Sequence, residues 1–262
     1  MDQLLLESLR VVALPTTTNF RGVTVREVAL IQGEYGWGEF SPFLEYEDAE
    51  SAPWLACAIE AATQPKPKLY RSEVAVNGTI PALNDREDLE RVVNSFPGVS
   101  TFKVKVGENL SEDIARINTI RSLRPSSTIR IDANGLWSVD QAVSFLQSVG
   151  NIEYIEQPCA TIEELRELKQ QINVKIVGDE VLRKAKDPFA IDLVGAVDYL
   201  MLKVQPLGGI KRAHQIAEHH KLPVVVSSAL ESAVGINYGL TLAASFEEMK
   251  FDCGLGTGSL LA

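Results

Sequence analysis

The feature that most constrains this chain is a regular beat of charged residues closing short apolar runs. Lys105, Asp132, Glu156, Asp179 and Lys203 follow one another at intervals of 27, 24, 23 and 24 residues. One interval is the length of a strand, a helix and two short loops. The runs are β-branched and strand-like: EVAVNGT (73–79), TFKVKV (101–106), TIRID (128–132), EYIE (153–156), KIVGDE (175–180), DYLMLK (198–203), PVVVSS (223–228) and FDC (251–253). Between them, SEDIARINTIRSL, SVDQAVSFLQSV, TIEELRELKQQI and GGIKRAHQIAEHH carry apolar residues at three- and four-residue steps, as helices covering a parallel sheet do. Eight such strands predict a closed α/β barrel. Its carboxyl-terminal rim is where barrel active sites are built, and every charge in the series falls there. A doubly wound open sheet is the competing topology, and it leaves the regular charges unexplained.

Ahead of the barrel, FRGVTVREVALIQGEYGWGEF alternates polar and apolar residues around a Gly-Glu-Tyr-Gly turn and predicts a β-hairpin. EDAESAPWLACAIEAAT follows, with Ala52, Leu55, Ile59 and Ala62 at helical spacing and Pro53 tolerable near the first turn. QPKPKLYRS (64–72) reads as a linker, so a small α+β domain over 1–72 precedes a barrel over 73–262. The 262 residues, 45% of them apolar, suffice to bury both. A formal charge of -10 repels nucleic acid and anionic membranes alike. Cys57, Cys159 and Cys253 are odd in number and lack CxxC spacing, against disulfides and zinc and in favour of the cytoplasm. Asp2, Glu7 and Arg10 interrupt any signal-peptide core, and no apolar run reaches the roughly 20 residues of a membrane span.

Asp132, Glu156 and Asp179 are oxygen donors without histidine or cysteine partners, the set a hard cation takes; Mg2+ is expected, with Mn2+ admissible. Each alone reads equally as a strand-end carboxylate or a helix N-cap; three in step read as metal ligands. Lys103 and Lys105 lie two apart on one strand and project to the same face. Mutual repulsion and desolvation are expected to lower their pKa values towards those of a base, with Lys203 facing them over the metal. The combination suits a small-molecule carboxylate substrate: a metal on the carboxylate, a lysine removing the adjacent proton, and an enediolate stabilised by the metal and the opposing lysine.

In KVK (103–105), DANGLW (132–137), EQP (156–158), GDE (178–180), LKVQPLGGI (202–210) and GWGEFSP (36–42), the chain resembles the enolase superfamily, muconate-lactonising subgroup, over almost its whole length. The resemblance implies a modified TIM-type (β/α) barrel with an N-terminal α+β capping domain. Softer features, FRG (20–22), SSALES (227–232) and CGLGTG (253–258), point to the menaquinone-pathway dehydratases of that subgroup. Their reaction is a syn dehydration of 2-succinyl-6-hydroxy-2,4-cyclohexadiene-1-carboxylate to an aromatic product. The resemblance makes Lys105 the base, Lys103 its support and carboxylate contact, and Lys203 the cation on the other face.

Four further residues are candidate substrate contacts. Ser227 and Ser228 follow the seventh strand, although Ser228 with Glu231 equally fits an S-x-x-E capping box. Arg21 stands in the loop that the capping domain would fold over the mouth, with a surface role as its alternative. Asn134 follows the metal Asp by two residues, with a turn role in Asn-Gly as its alternative. GLGTGS misses dinucleotide-loop spacing and reads as a close-approach loop, and His214, His219 and His220 read as solvated. The same residue set serves N-acylamino acid racemases, dipeptide epimerases and cycloisomerases. From another class, an inactive metal-binding scaffold has no need of the lysines.

Overall fold

The computed structural model describes residues 3–20 and 22–262. It divides into two compact units, Met1–Ala75 with Leu202–His219 and Val225–Ala262, and Val76–Met201 with His220–Val224.

The first unit opens with α1 (Gln3–Glu7) and an antiparallel sheet of β1 (Arg10–Phe20), β2 (Val23–Gly33) and β3 (Gly36–Phe40), in that order. The expected hairpin is present, Gly33 pairing with Gly36 across the Glu34-Tyr35 tip. Strand β1 is an addition. Of its residues only Thr18 is buried, with Val12, Leu14, Thr16 and Phe20 half-buried at alternate positions, and its register shifts between Pro15 and Phe20, where proline offers no N–H to the ladder. Helix α2 (Asp48–Thr63) covers the sheet, with Leu5, Ile31, Ala58 and Ala62 as the shared core. A side chain at Gly38 would collide with the Ala58 carbonyl, which is why the hairpin carries glycine there. The buried face of α2 is Trp54, Cys57, Ala58, Ala61 and Ala62, with Ala52 exposed, so the stripe is rotated from the expected one. Trp54, edge-on to Phe43 and Tyr46, sets that rotation. Residues 64–72 lack regular structure but are pinned: Tyr70 N–H donates to the Ala244 carbonyl and Arg71 to those of Phe246 and Glu247.

The chain continues through β4 (Gly78–Ile80), α3 (Arg86–Asn94), β5 (Thr101–Lys105), α4 (Leu110–Leu123), β6 (Thr128–Asp132), α5 (Val139–Val149), β7 (Tyr154–Glu156), α6 (Ile162–Lys169), β8 (Lys175–Gly178), α7 (Glu180–Arg183) and β9 (Tyr199–Lys203). It ends with α8 (Val204–Leu207), α9 (Ile210–His220), β10 (Val224–Ser227), α10 (Ala233–Ser245) and a 3-10 turn, Gly256–Leu260. Strands β4 to β10 form one sheet in sequence order, parallel at each pairing from β4 to β9. Helix starts follow local chemistry. Ser138 and Thr161 form capping boxes with Gln141 and Glu164, and Asn109 and Asp85 cap α4 and α3.

The expected eighth strand is reduced to two residues. Cys253 N–H donates to the Ala75 carbonyl and Gly254 N–H to that of Val226, while Gly254 forms a parallel bridge with Ser227. Pairing stops there because the glycine-rich tail turns at once into the 3-10 segment. Among the described residues, no helix is long and apolar enough to cross a membrane.

Candidate active site

Sheet register builds a row of charged side chains in the second unit. Lys105 pairs with Asp132, and Asp132 with Glu156, across β5, β6 and β7. Directly paired residues in a parallel sheet point the same way, so the three share one face, and Lys103, two residues earlier, joins them. Glu156 pairs with Val177, and Asp179 follows two residues later as the N-cap of α7.

Glu156 and Asp179 are fully buried. The Lys103 ammonium lies 2.6 Å from Glu156 Oε2 and 3.7 Å from Asp132 Oδ2; Arg183 donates from Nε to Asp179 Oδ1 at 3.1 Å and from an Nη to Glu180 Oε1 at 2.8 Å. Burial alone would lower the Lys103 pKa, but Glu156 and Asp132 outweigh it and hold the ammonium well above its ordinary value. The lowered pKa expected for Lys103 is therefore corrected: its nearest neighbours are carboxylates rather than the other lysine.

Lys103 thus bridges Glu156 and Asp132, and Arg183 bridges Asp179 and Glu180. Among the described residues, no three His, Cys, Asp or Glu side chains are already drawn together as a metal-binding group. The donor chemistry nonetheless fits a hard divalent cation, being all oxygen, with Glu156 and Asp179 fully buried.

Several supporting residues lay beyond sequence reasoning. Gln157 Oε1 accepts the N–H groups of Asp179 and Val181, and its Nε2 donates to the Cys159 carbonyl, tying the Asp179 backbone to β7. Its φ of 40° shows that the turn is held against its intrinsic preference. The EQP motif was the available signal. Asn134, at φ 47°, takes the turn conformation, where its N–H donates to Asp132 Oδ1 and its Nδ2 to Glu180 Oε1. Neither Glu180 nor Arg183 belonged to the charge beat, so neither was anticipated.

The remaining candidates belong to the first unit. Lys203 ends β9 and is 8% exposed. Ser227 and Ser228 donate to the Gly254 carbonyl at 3.2 and 2.7 Å, and Ser228 also meets Thr257 Oγ1 at 2.8 Å. The Ser228–Glu231 capping box does not form; the N-cap of α10 is Ser232, whose Oγ accepts from Val234 N–H. Arg21 lies outside the described residues. The histidines also differ from expectation. His219 is exposed, but half-buried His214 bonds Ser245 and packs on Phe246, with its pKa lowered by burial, and His220 bonds the Pro188 carbonyl.

Another buried charge in this unit was also missed. Glu39, from β3, accepts five hydrogen bonds: from the Ser41 and Ser232 hydroxyls, Gln205 Nε2 and the N–H groups of Ser232 and Gly235. It thereby caps the 13-residue α10. Arg26 donates to the carbonyls of Ser41, Pro42 and Leu230 and lies over the Phe43 ring.

Residues 86–258 match the family "Enolase C-terminal domain-like", and residues 11–62 match "Enolase N-terminal domain-like". The chain is 50% identical to the o-succinylbenzoate synthase of Mycolicibacterium smegmatis over 98% of its own length and 81% of that protein's. The o-succinylbenzoate synthase of Mycobacterium marinum is also 50% identical, over 98% and 79%. In fold, the chain is similar to a substrate-liganded L-Ala-D/L-Glu epimerase from Bacillus subtilis, with a TM-score of 0.81 at 24% identity, covering 97% of this chain and 89% of that one. The chain belongs to the enolase superfamily and, within it, to the o-succinylbenzoate synthase family.

Proposed function

We propose that this chain is a lyase that dehydrates 2-succinyl-6-hydroxy-2,4-cyclohexadiene-1-carboxylate to o-succinylbenzoate, in the cytoplasm and in the service of menaquinone biosynthesis. The observation that carries the chemistry is the in-register row Lys105, Asp132, Glu156, which sets a lysine beside two carboxylates on one sheet face. The substrate follows from the curated relatives. Three buried free thiols, Cys57, Cys159 and Cys253, support a reducing compartment. Residues 1–72 are assigned as the capping domain and 73–262 as the barrel domain.

Lys105 takes the proton from the carbon bearing the carboxylate, and the electron pair enters the carboxylate as an enediolate. Collapse of that pair expels the hydroxyl group, to which Lys105 returns the proton, so water leaves and the ring becomes aromatic. Lys203 supplies positive charge to the enediolate, and Lys103 contacts the substrate carboxylate. Asp132, Glu156 and Asp179 would hold a divalent cation, Mg2+ by donor type, with Mn2+ as the alternative. When bound, it supplies Lewis acidity to the substrate carboxylate. Ser227, Ser228, Arg21 and Asn134 are assigned as substrate contacts.

Purified protein with Mg2+ should convert the cyclohexadiene substrate, followed as an ultraviolet absorbance change, and chelation should stop it until Mg2+ is restored. Lys105→Ala should lower kcat by about 10⁴-fold, the upper range for a general base, with Mg2+ affinity retained. Absence of dehydration together with racemisation of N-acylated amino acids would overturn the substrate; substantial activity in Lys105→Ala would overturn the base.

A further inference from the structure

Glu231 lies in the segment between β10 and α10 and has no role in the chemistry above. It is completely buried. Its Oε1 accepts one long bond, 3.3 Å from Ala229 N–H, and among the described residues its Oε2 has no hydrogen-bond partner. The reason lies next to it. A side-chain carbon at Gly235 would stand 2.8 Å from Glu231 Cβ, 2.9 Å from Glu39 Oε2 and 2.8 Å from Gln205 Nε2, so these groups crowd around one glycine. Glu39 takes the local donors, namely two hydroxyls, two backbone N–H groups and the Gln205 amide. Glu231 is left beside a carboxylate with almost nothing to stabilise a charge of its own, which favours the neutral acid.

The charged and titratable groups facing it are Glu39 from β3, Arg26 from β2, Lys203 from the end of β9 and Cys57 from α2. Burial and then Glu39 push its carboxyl up to about 8, against smaller opposing contributions from Arg26 and Lys203. The Cys57 thiol is itself pushed up, by burial and then by Glu231. Arg26 has its guanidinium bonded to three carbonyls; Lys203, which ends β9 two residues before the Gln205 of this cluster, is the cation of the proposed chemistry that acts on the Glu231 carboxyl.

We propose that Glu231 is a positioning residue that works as a neutral acid, and that losing its proton weakens the stabilisation of negative charge by Lys203 and sets the alkaline limit of the reaction. The inference rests on the proposed dehydration for its catalytic consequence. A negative charge appearing beside Lys203 offsets the positive charge that the enediolate needs, so turnover falls as Glu231 ionises.

The test compares the wild type with Glu231→Gln, which keeps the shape of the neutral acid. The ratio of kcat at pH 9 to kcat at pH 7 should be about tenfold higher in the variant, the fraction of acid that the wild type loses across its midpoint. A second readout needs no turnover. The folded pKa is raised, so the Glu231 contribution to stability is full below the ordinary carboxyl pKa near 4.5 and is lost as pH rises through about 8. The melting-temperature gap between the two proteins should therefore widen in favour of Glu231→Gln from pH 5 to pH 9. In the wild type alone, difference infrared spectra should lose a protonated-carboxyl band between pH 7 and pH 9, which serves if the variant fails to fold. A constant gap with no infrared change overturns the neutral acid. A widening gap with an unchanged alkaline limb overturns the coupling to Lys203. Absence of dehydration by the wild type overturns the functional reading and with it the catalytic role, while the stability and infrared series still decide where the proton resides.

Discussion

Two regions of this molecule bury carboxylates by opposite means. At the strand ends, Glu156 and Asp179 are met by cations, Lys103 and Arg183. In the first unit, Glu39 is met by five neutral donors, including two N–H groups at the start of α10. Neutral donors stabilise a carboxylate without leaving charge for anything else. An ionic cluster couples each carboxylate to a cation, so a change of charge at one member is felt by the others. The manner in which each buried charge is answered gives the two regions different expected responses to substitution.

The sharpest way to break this contrast is to remove charge at the strand ends while keeping shape. Asp179→Asn leaves Arg183 with Glu180, so the metal-free protein should lose about 1 kcal/mol or less. Mg2+ affinity should fall by about a thousandfold or more, since a divalent ion loses one carboxylate at close range. Calorimetric titration and a melting curve on one sample give both numbers. Large destabilisation with Mg2+ binding preserved would make this cluster as structural as the other.

The converse change is Glu39→Gln. An amide offers one acceptor oxygen and an NH2 group, so it cannot accept at both former oxygens, and a donor then faces the N–H groups of α10. Unfolding in denaturant should show a loss of about 3 kcal/mol, from weakened charge-assisted bonds and stranded donors, while Mg2+ affinity stays within about threefold. Loss of affinity without loss of stability would reverse the assignment.

The contrast also explains what the sequence revealed. Lys105, Asp132 and Glu156 stood out because one repeating unit sets both their spacing and their register, so a period along the chain becomes a row in space. Seven strands and the helices α4, α5, α6 and α9 followed from the same alternation. The Glu39 cluster draws on β3, α8 and the start of α10, and no spacing links Glu39, Gln205 and Ser232 before the chain is folded. Gln157 and Arg183 escaped for a related reason: they act on the Asp179 carboxylate or its backbone from a turn and a short helix, where strand periodicity has lapsed. Strand β1 was missed because polar and apolar residues do not alternate along RVVALPTTTNF and Pro15 interrupts it, although burial alternates along the folded strand.

The smallest expected effect tests whether Ser228 belongs with the neutral-donor region. Its hydroxyl meets the Gly254 carbonyl and Thr257 Oγ1, both in the C-terminal tail that replaces the eighth strand. Ser227 also reaches the Gly254 carbonyl, at the longer distance of 3.2 Å, so that acceptor keeps a donor when Ser228 is removed. Ser228→Ala should therefore cost only about 1 kcal/mol, the net worth of one ordinary hydrogen bond, read as a shift in the denaturation midpoint at constant slope. If Ser228 also contacts substrate, KM rises while kcat and Mg2+ affinity hold. A change confined to stability assigns the hydroxyl to anchoring the two-residue pairing at Cys253 and Gly254, and removes Ser228 from the substrate contacts.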